Sequence, residues 1–161
     1  MITNIDLQLP PAIVQKAPEW YYTQRVYKAV EFAETGFEPN KWIRTKVKNG
    51  STAFGPVQVT GTLMGDYYKR YNGIFLPDEK TYILKFLDQA TKFRSHKTDR
   101  VYGYGGTGYL NTPKDKAMYE RVVQRIIKHK LDQNNKNLDS FLKAWRGKSD
   151  LAYNNKVKSK L

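Results

Sequence analysis

Charge is spread along the whole of this chain except in two windows, Asn49 to Gly65 and Val101 to Pro113, which carry none. Between them the windows hold eight of the eleven glycines, at 50, 55, 61, 65, 103, 105, 106 and 108, with Thr, Tyr, Asn and Gln side chains interspersed. Glycine at that density weakens regular structure and lets a backbone approach another surface closely. Amide, hydroxyl and phenol groups can hydrogen-bond a neutral polar ligand without the desolvation cost of charges, which suits carbohydrate. Two loops kept free of charge for packing alone is the simpler alternative.

Outside the windows, apolar residues fall at helical spacing. Val26, Ala29, Val30 and Ala33 predict a helix over Trp20 to Thr35, stopped at Gly36. Ile83, Leu84, Leu87 and Ala90 predict one near 79–93, and Ala117, Val122, Val123, Ile126 and Ile127 one over 114–131, after Pro113. Two shorter helices are expected, over 138–146 (Leu138, Phe141, Leu142, Trp145) and over 150–160 (Leu151, Val157). The β-prone runs Trp42 to Val47 and Thr52 to Phe54 flank Asn49-Gly50, a strong hairpin signal. Residues 1–19, with Pro10, Pro11 and Pro18, read as an extended arm, and 20–161 as a single domain without repeat or linker. The expected class is α+β, predominantly helical, with one small β-hairpin.

The balance of 28 Lys and Arg against 15 Asp and Glu leaves a net charge of +13, concentrated in residues 114–161. Such a surface attracts polyanions, among which nucleic acid, anionic lipid and cell-wall polymers are all admissible. Lys114, Lys116, Arg121, Arg125, Lys128 and Lys130 could coat one side of the 114–131 helix for phosphate binding, which makes a nucleic-acid-binding module the alternative reading. No zinc-finger, RNP-like or homeodomain signature accompanies them. The chain has no cysteine, and His96 and His129 are isolated, so neither a metal site nor any other cofactor is expected. The first residues have neither a basic start nor an apolar run of signal-peptide length, and no stretch approaches 18 apolar residues. Synthesis as a soluble cytoplasmic chain, without membrane insertion, is the expectation.

Two motifs sharpen the reading. Glu34-Thr35-Gly36-Phe37-Glu38-Pro39 falls at the end of the first predicted helix, and Gly55-Pro56-Val57-Gln58-Val59-Thr60 follows about twenty residues later, beyond the hairpin. This pair resembles the lysozyme-like superfamily, in particular lytic transglycosylases and goose-type lysozymes. Those families place a catalytic Glu before Ser or Thr at a helix end, and later a loop of the type G-x-x-Q-[IVL]-[TM]. A third family element, Tyr-Asn-x-Gly, is matched loosely by Val101-Tyr102-Gly103-Tyr104-Gly105-Gly106, which lacks the Asn.

The resemblance implies a lysozyme-like fold with the hairpin beside the catalytic helix. It also implies a glycosidase that cuts the MurNAc-β-1,4-GlcNAc bond of peptidoglycan, as a lytic transglycosylase or a muramidase. Glu34 would be the general acid. Gly55, Gln58 and Thr60 would line the substrate, Gln58 holding an N-acetyl group or ring hydroxyl. Tyr102, with Tyr104 second, would support the acid, and Phe54, Tyr102, Tyr104 and Tyr109 could stack on sugar faces. The helical spacing puts Glu34 at the edge of the apolar stripe, where lost solvation would raise its pKa. Glu38, Asp66 and Asp99 are the candidates for a second carboxylate. A monomer resembling phage lysis enzymes or virion-associated lysozymes is expected, delivered to the wall by other means.

Overall fold

The computed structural model describes residues 15–36, 41–46, 52–93, 100–102, 110 and 112–161. Six α-helices are formed by these residues: α1 (Tyr21–Thr35), α2 (Gly61–Arg70), α3 (Pro77–Phe93), α4 (Pro113–Gln133), α5 (Leu138–Arg146) and α6 (Leu151–Lys158). Four short strands, β1 (Ile43–Lys46), β2 (Thr52–Phe54), β3 (Val59–Thr60) and β4 (Arg100–Tyr102), make an antiparallel sheet in the order β3-β2-β1-β4. The fold is α+β and predominantly helical. None of the described helices is long and apolar enough to cross a membrane.

α4 is the axis of the core. Met118, Tyr119, Val122, Val123, Ile126 and Ile127 repeat as adjacent pairs every fourth residue, a stripe wide enough to face α1, α3 and α5 together. Each of these buried side chains contributes roughly 1.5–3 kcal/mol by leaving water. The helix starts at a capping box in which Thr112 and Asp115 bond each other's backbone N–H, with Pro113 in the first turn. α1 stops where Gly36 turns to φ +61° and its N–H reaches the carbonyls of Glu31 and Phe32. Val26, Ala29 and Val30 of α1 are fully buried.

Three expected core residues lie outside. Leu84 is 51% exposed because Tyr82, Ile83, Phe86 and Ala90 define the buried face of α3 and residue 84 lies one step beyond its edge. Leu151 is 75% exposed, since α6 buries Tyr153 and Val157, one turn apart on the opposite side. Ala117 is also exposed, adjacent to the stripe rather than in it.

The sheet and α2 go beyond the single hairpin expected. β1 and β2 pair as the hairpin, Arg44 opposite Phe54 and Lys46 opposite Thr52. β3 and β4, two and three residues long, then flank it; β3 lies within the first uncharged window, and β4 runs from Arg100 into the second. α2 begins at Gly61 and contains Gly65, residues that speak against a helix on propensity. Thr60 overrides this by accepting the N–H of Leu63 at 3.0 Å, and packing against α3 does the rest, with Leu87 3.7 Å from where a Cβ at position 65 would stand. Arg44 of β1 is buried, donating to Thr52 at 2.9 Å with its guanidinium 4.8 Å from the Phe54 ring centre.

Glu79, in the first turn of α3, is 0% exposed and binds α3 to α4. It accepts from Arg125 Nε at 2.7 Å, Arg121 Nη2 at 3.1 Å and the Leu76 N–H at 2.9 Å. Gln15, in the segment expected as an arm, donates to the Arg121 carbonyl at 2.8 Å, so the chain just before α1 is docked on α4. Residues 1–14 lie outside the described residues.

Candidate active site

The two sequence motifs meet through Thr35. Its hydroxyl lies 3.2 Å from the Glu31 carbonyl and donates at 2.9 Å to the carbonyl of Pro56, tying the last turn of α1 to the turn between β2 and β3. That turn is built on Gly55, at φ +85°, where an added Cβ would lie 2.5 Å from the Tyr119 ring. The Tyr119 phenol, wholly buried, donates to the Phe54 carbonyl at 2.8 Å and accepts the Val57 N–H at 3.3 Å. Gln58 closes the turn in the left-handed region, φ +51°, with its N–H and its Nε2 both 3.0 Å from the Gly55 carbonyl.

Glu34 and Gln58 consequently line one cleft of ≈ 440 Å³, with Thr45, Ala53, Thr60, Leu63, Trp145, Arg146 and Lys148. Glu34 is the only carboxylate among these described lining residues. Its side chain is 15% exposed, and burial pushes its pKa above the usual glutamate range, with partial relief from the Tyr153 hydrogen bond and the charge of Arg146. Tyr153 Oη donates to Glu34 Oε2 at 2.9 Å, and Arg146 Nη1 stands at 3.8 Å, outside hydrogen-bond range. Burial and the adjacent Glu34 hold the Tyr153 phenol well above its ordinary pKa, so it stays a donor.

The other expected site residues divide. Thr60 lines the cleft while capping α2. Gly55 is buried under Tyr119, shaping the turn rather than facing the cavity. Phe54 corrects the expectation of a sugar platform: it is 0% exposed, its ring packed among Trp42, Phe86 and Tyr119 at centroid distances of 5.9, 6.1 and 6.0 Å. Tyr102 pairs opposite Ile43 in β4. Its side chain, and the whole of Tyr104, Tyr109, Glu38 and Asp99, lie outside the described residues. Asp66 pairs with Arg70 on α2 at 3.1 Å and is not part of the cleft.

The expected supporting tyrosine lies in the 102–104 segment, whereas the phenol bonded to Glu34 belongs to Tyr153 on α6. The available signal was Tyr153-Asn154, which has the Tyr-Asn pair that the earlier segment lacks. Arg146 and Lys148 gave none, being two cations in a basic third of the chain.

The cations of α4 are mostly engaged within the molecule. Arg121 and Arg125 bind Glu79, and Lys128 pairs with Asp132 at 3.0 Å. Lys116 and Lys130 lie over Trp42 and Tyr67 at 5.5 Å. Among the described residues no group of three or more His, Asp or Glu is placed to hold a metal ion. No protein-family model, curated protein or solved structure matches this chain.

Proposed function

We propose that this protein is a peptidoglycan-degrading glycosidase with a lysozyme-like fold that cleaves the MurNAc-β-1,4-GlcNAc bond, with Glu34 as its general acid. The observation that carries the reading is the shared cleft: a largely desolvated carboxyl and Gln58, with its uncharged neighbours, line the same cavity. Cleaving a glycosidic bond requires a proton for the leaving oxygen beside an oxocarbenium-like centre. Burial raises the pKa of Glu34, so it holds that proton to higher pH than an ordinary glutamate, and Tyr153 fixes the carboxyl's orientation.

One carboxyl suffices for a single-acid route. Glu34 gives its proton to the leaving 4-oxygen, then takes one from the 6-hydroxyl of the same MurNAc as that oxygen closes on C1, leaving a 1,6-anhydro end and the acid reprotonated. The nucleic-acid alternative has less behind it, because five of the six α4 cations it would use are turned to internal partners.

The test is turbidity clearing of Gram-negative peptidoglycan followed by mass spectrometry of the fragments. Glu34→Gln is expected to lower the rate by about 10²–10⁴-fold with the fold intact. Full activity in that variant ends the catalytic assignment. A 1,6-anhydro product identifies transglycosylation, and a reducing MurNAc end identifies hydrolysis.

A further inference from the structure

We propose that the corner joining α5 to α6 is a carboxylate-recognition subsite, in which Arg146 and Lys148 bind an acid group carried by the sugar chain in the cleft. This rests on the glycosidase reading and adds to it a determinant of which glycans are accepted.

The cleft is electrically one-sided. The sheet, its β2–β3 turn and the start of α2 contribute only uncharged lining, Thr45, Ala53, Gln58, Thr60 and Leu63, and both cations come from the α5–α6 corner, within three residues of each other. Gly147 makes this possible. At φ +75° it ends α5 in the left-handed conformation and reverses the chain, so residues 146 and 148 both reach the same cavity.

The guanidinium is held but not used up. Asp150 takes Nη2 at 3.1 Å, and the Tyr153 ring lies under the planar group at 4.2 Å from its centroid. Nε is buried with no hydrogen-bond partner, and Nη1 stays 3.8 Å from Glu34. When Glu34 carries the proton its acid role demands, Arg146 keeps Asp150 as its nearest counter-charge, and Lys148 adds a second positive charge at the rim. That leaves Nη1 as the guanidinium donor open to a ligand, and a guanidinium N–H beside an ammonium is suited to a carboxylate. Peptidoglycan offers that group in two places, the lactyl ether of MurNAc and the peptide attached to it, whereas chitin-type oligosaccharides offer none.

The experiment is NMR titration at low salt with three probes: N-acetylglucosamine, N-acetylmuramic acid, and muramyl dipeptide, whose lactyl acid is consumed in an amide and whose free carboxyl lies further out. The wild type is expected to prefer at least one acidic probe over the neutral sugar. Lys148→Glu, an exposed change that leaves the core untouched, is expected to weaken that probe about tenfold or more while sparing N-acetylglucosamine. Arg146→Gln, checked for folding by thermal melt, is expected to do the same. Preference for the muramic acid assigns the lactyl group and preference for the dipeptide assigns the peptide, and either supports the subsite. Equal affinity for acidic and neutral probes, or a preference that survives both substitutions, overturns it. If the subsite fails but Glu34→Gln still abolishes cleavage, the glycosidase stands without it. If Glu34→Gln leaves cleavage intact, the glycosidase reading falls whatever the titrations show.

Discussion

Glu79 and Glu34 are both taken largely out of water and both face arginine, yet their surroundings differ in kind. Glu79 has its two oxygens filled by Arg125, Arg121 and a backbone N–H, and no cavity touches its carboxylate among those described. Glu34 receives one phenol, keeps its arginine at 3.8 Å and opens on a cleft. A buried charge that is fully compensated fastens helices together, and one left under-compensated at a cavity wall is available for proton transfer.

That contrast can be broken in three places. The largest effect is expected from Glu79→Gln, which strands Arg125, only 5% exposed, without its counter-charge. It should lower the unfolding free energy by about 3–5 kcal/mol, read by urea denaturation. A loss within the ~1 kcal/mol typical of exposed ion pairs would remove the distinction between the two sites. Next is Tyr153→Phe. Its hydrogen bond lowers the pKa of Glu34, so without it the acid holds its proton longer, and the alkaline limb of the activity profile should move to higher pH. An unmoved limb detaches the phenol from the acid.

The smallest effect is on stability, and it has the opposite sign to that at Glu79. Because the folded pKa of Glu34 is raised by burial, the native state binds more protons than the unfolded chain between the two pKa values, and stability falls as pH rises through that window. Gln does not titrate. Glu34→Gln should therefore gain thermal stability relative to wild type as pH climbs above the ordinary glutamate value of 4.5, with no gain below it. Melting curves on both sides of that value give the comparison, and a variant less stable at alkaline pH would contradict the burial argument.

The five helices with a continuous apolar stripe were legible in the sequence to within a few residues, because burying a stripe is what keeps such a helix in place. α2 was not, because its glycines argue for a loop and only the Thr60 cap and the α3 surface, neither evident locally, decide otherwise. β3 and β4 are too short to carry a period. In the site, Glu34 and Gln58 could be found because each stands in a local motif, and Thr35 brings those motifs together. Tyr153 lies 119 residues from the carboxylate it bonds, a distance no spacing rule spans. Phe54 misled because an aromatic next to a polar turn reads equally as platform or core, and its packing around Tyr119 made it core.

The bond from Thr35 to Pro56 has a mechanical corollary. It rivets the acid-bearing helix end to the glutamine-bearing turn, so those two parts travel as a single block. The Tyr153 bond to Glu34 and the packing of α6 along α1 hold the phenol on that same block, so carboxyl, glutamine turn and phenol keep fixed relative places.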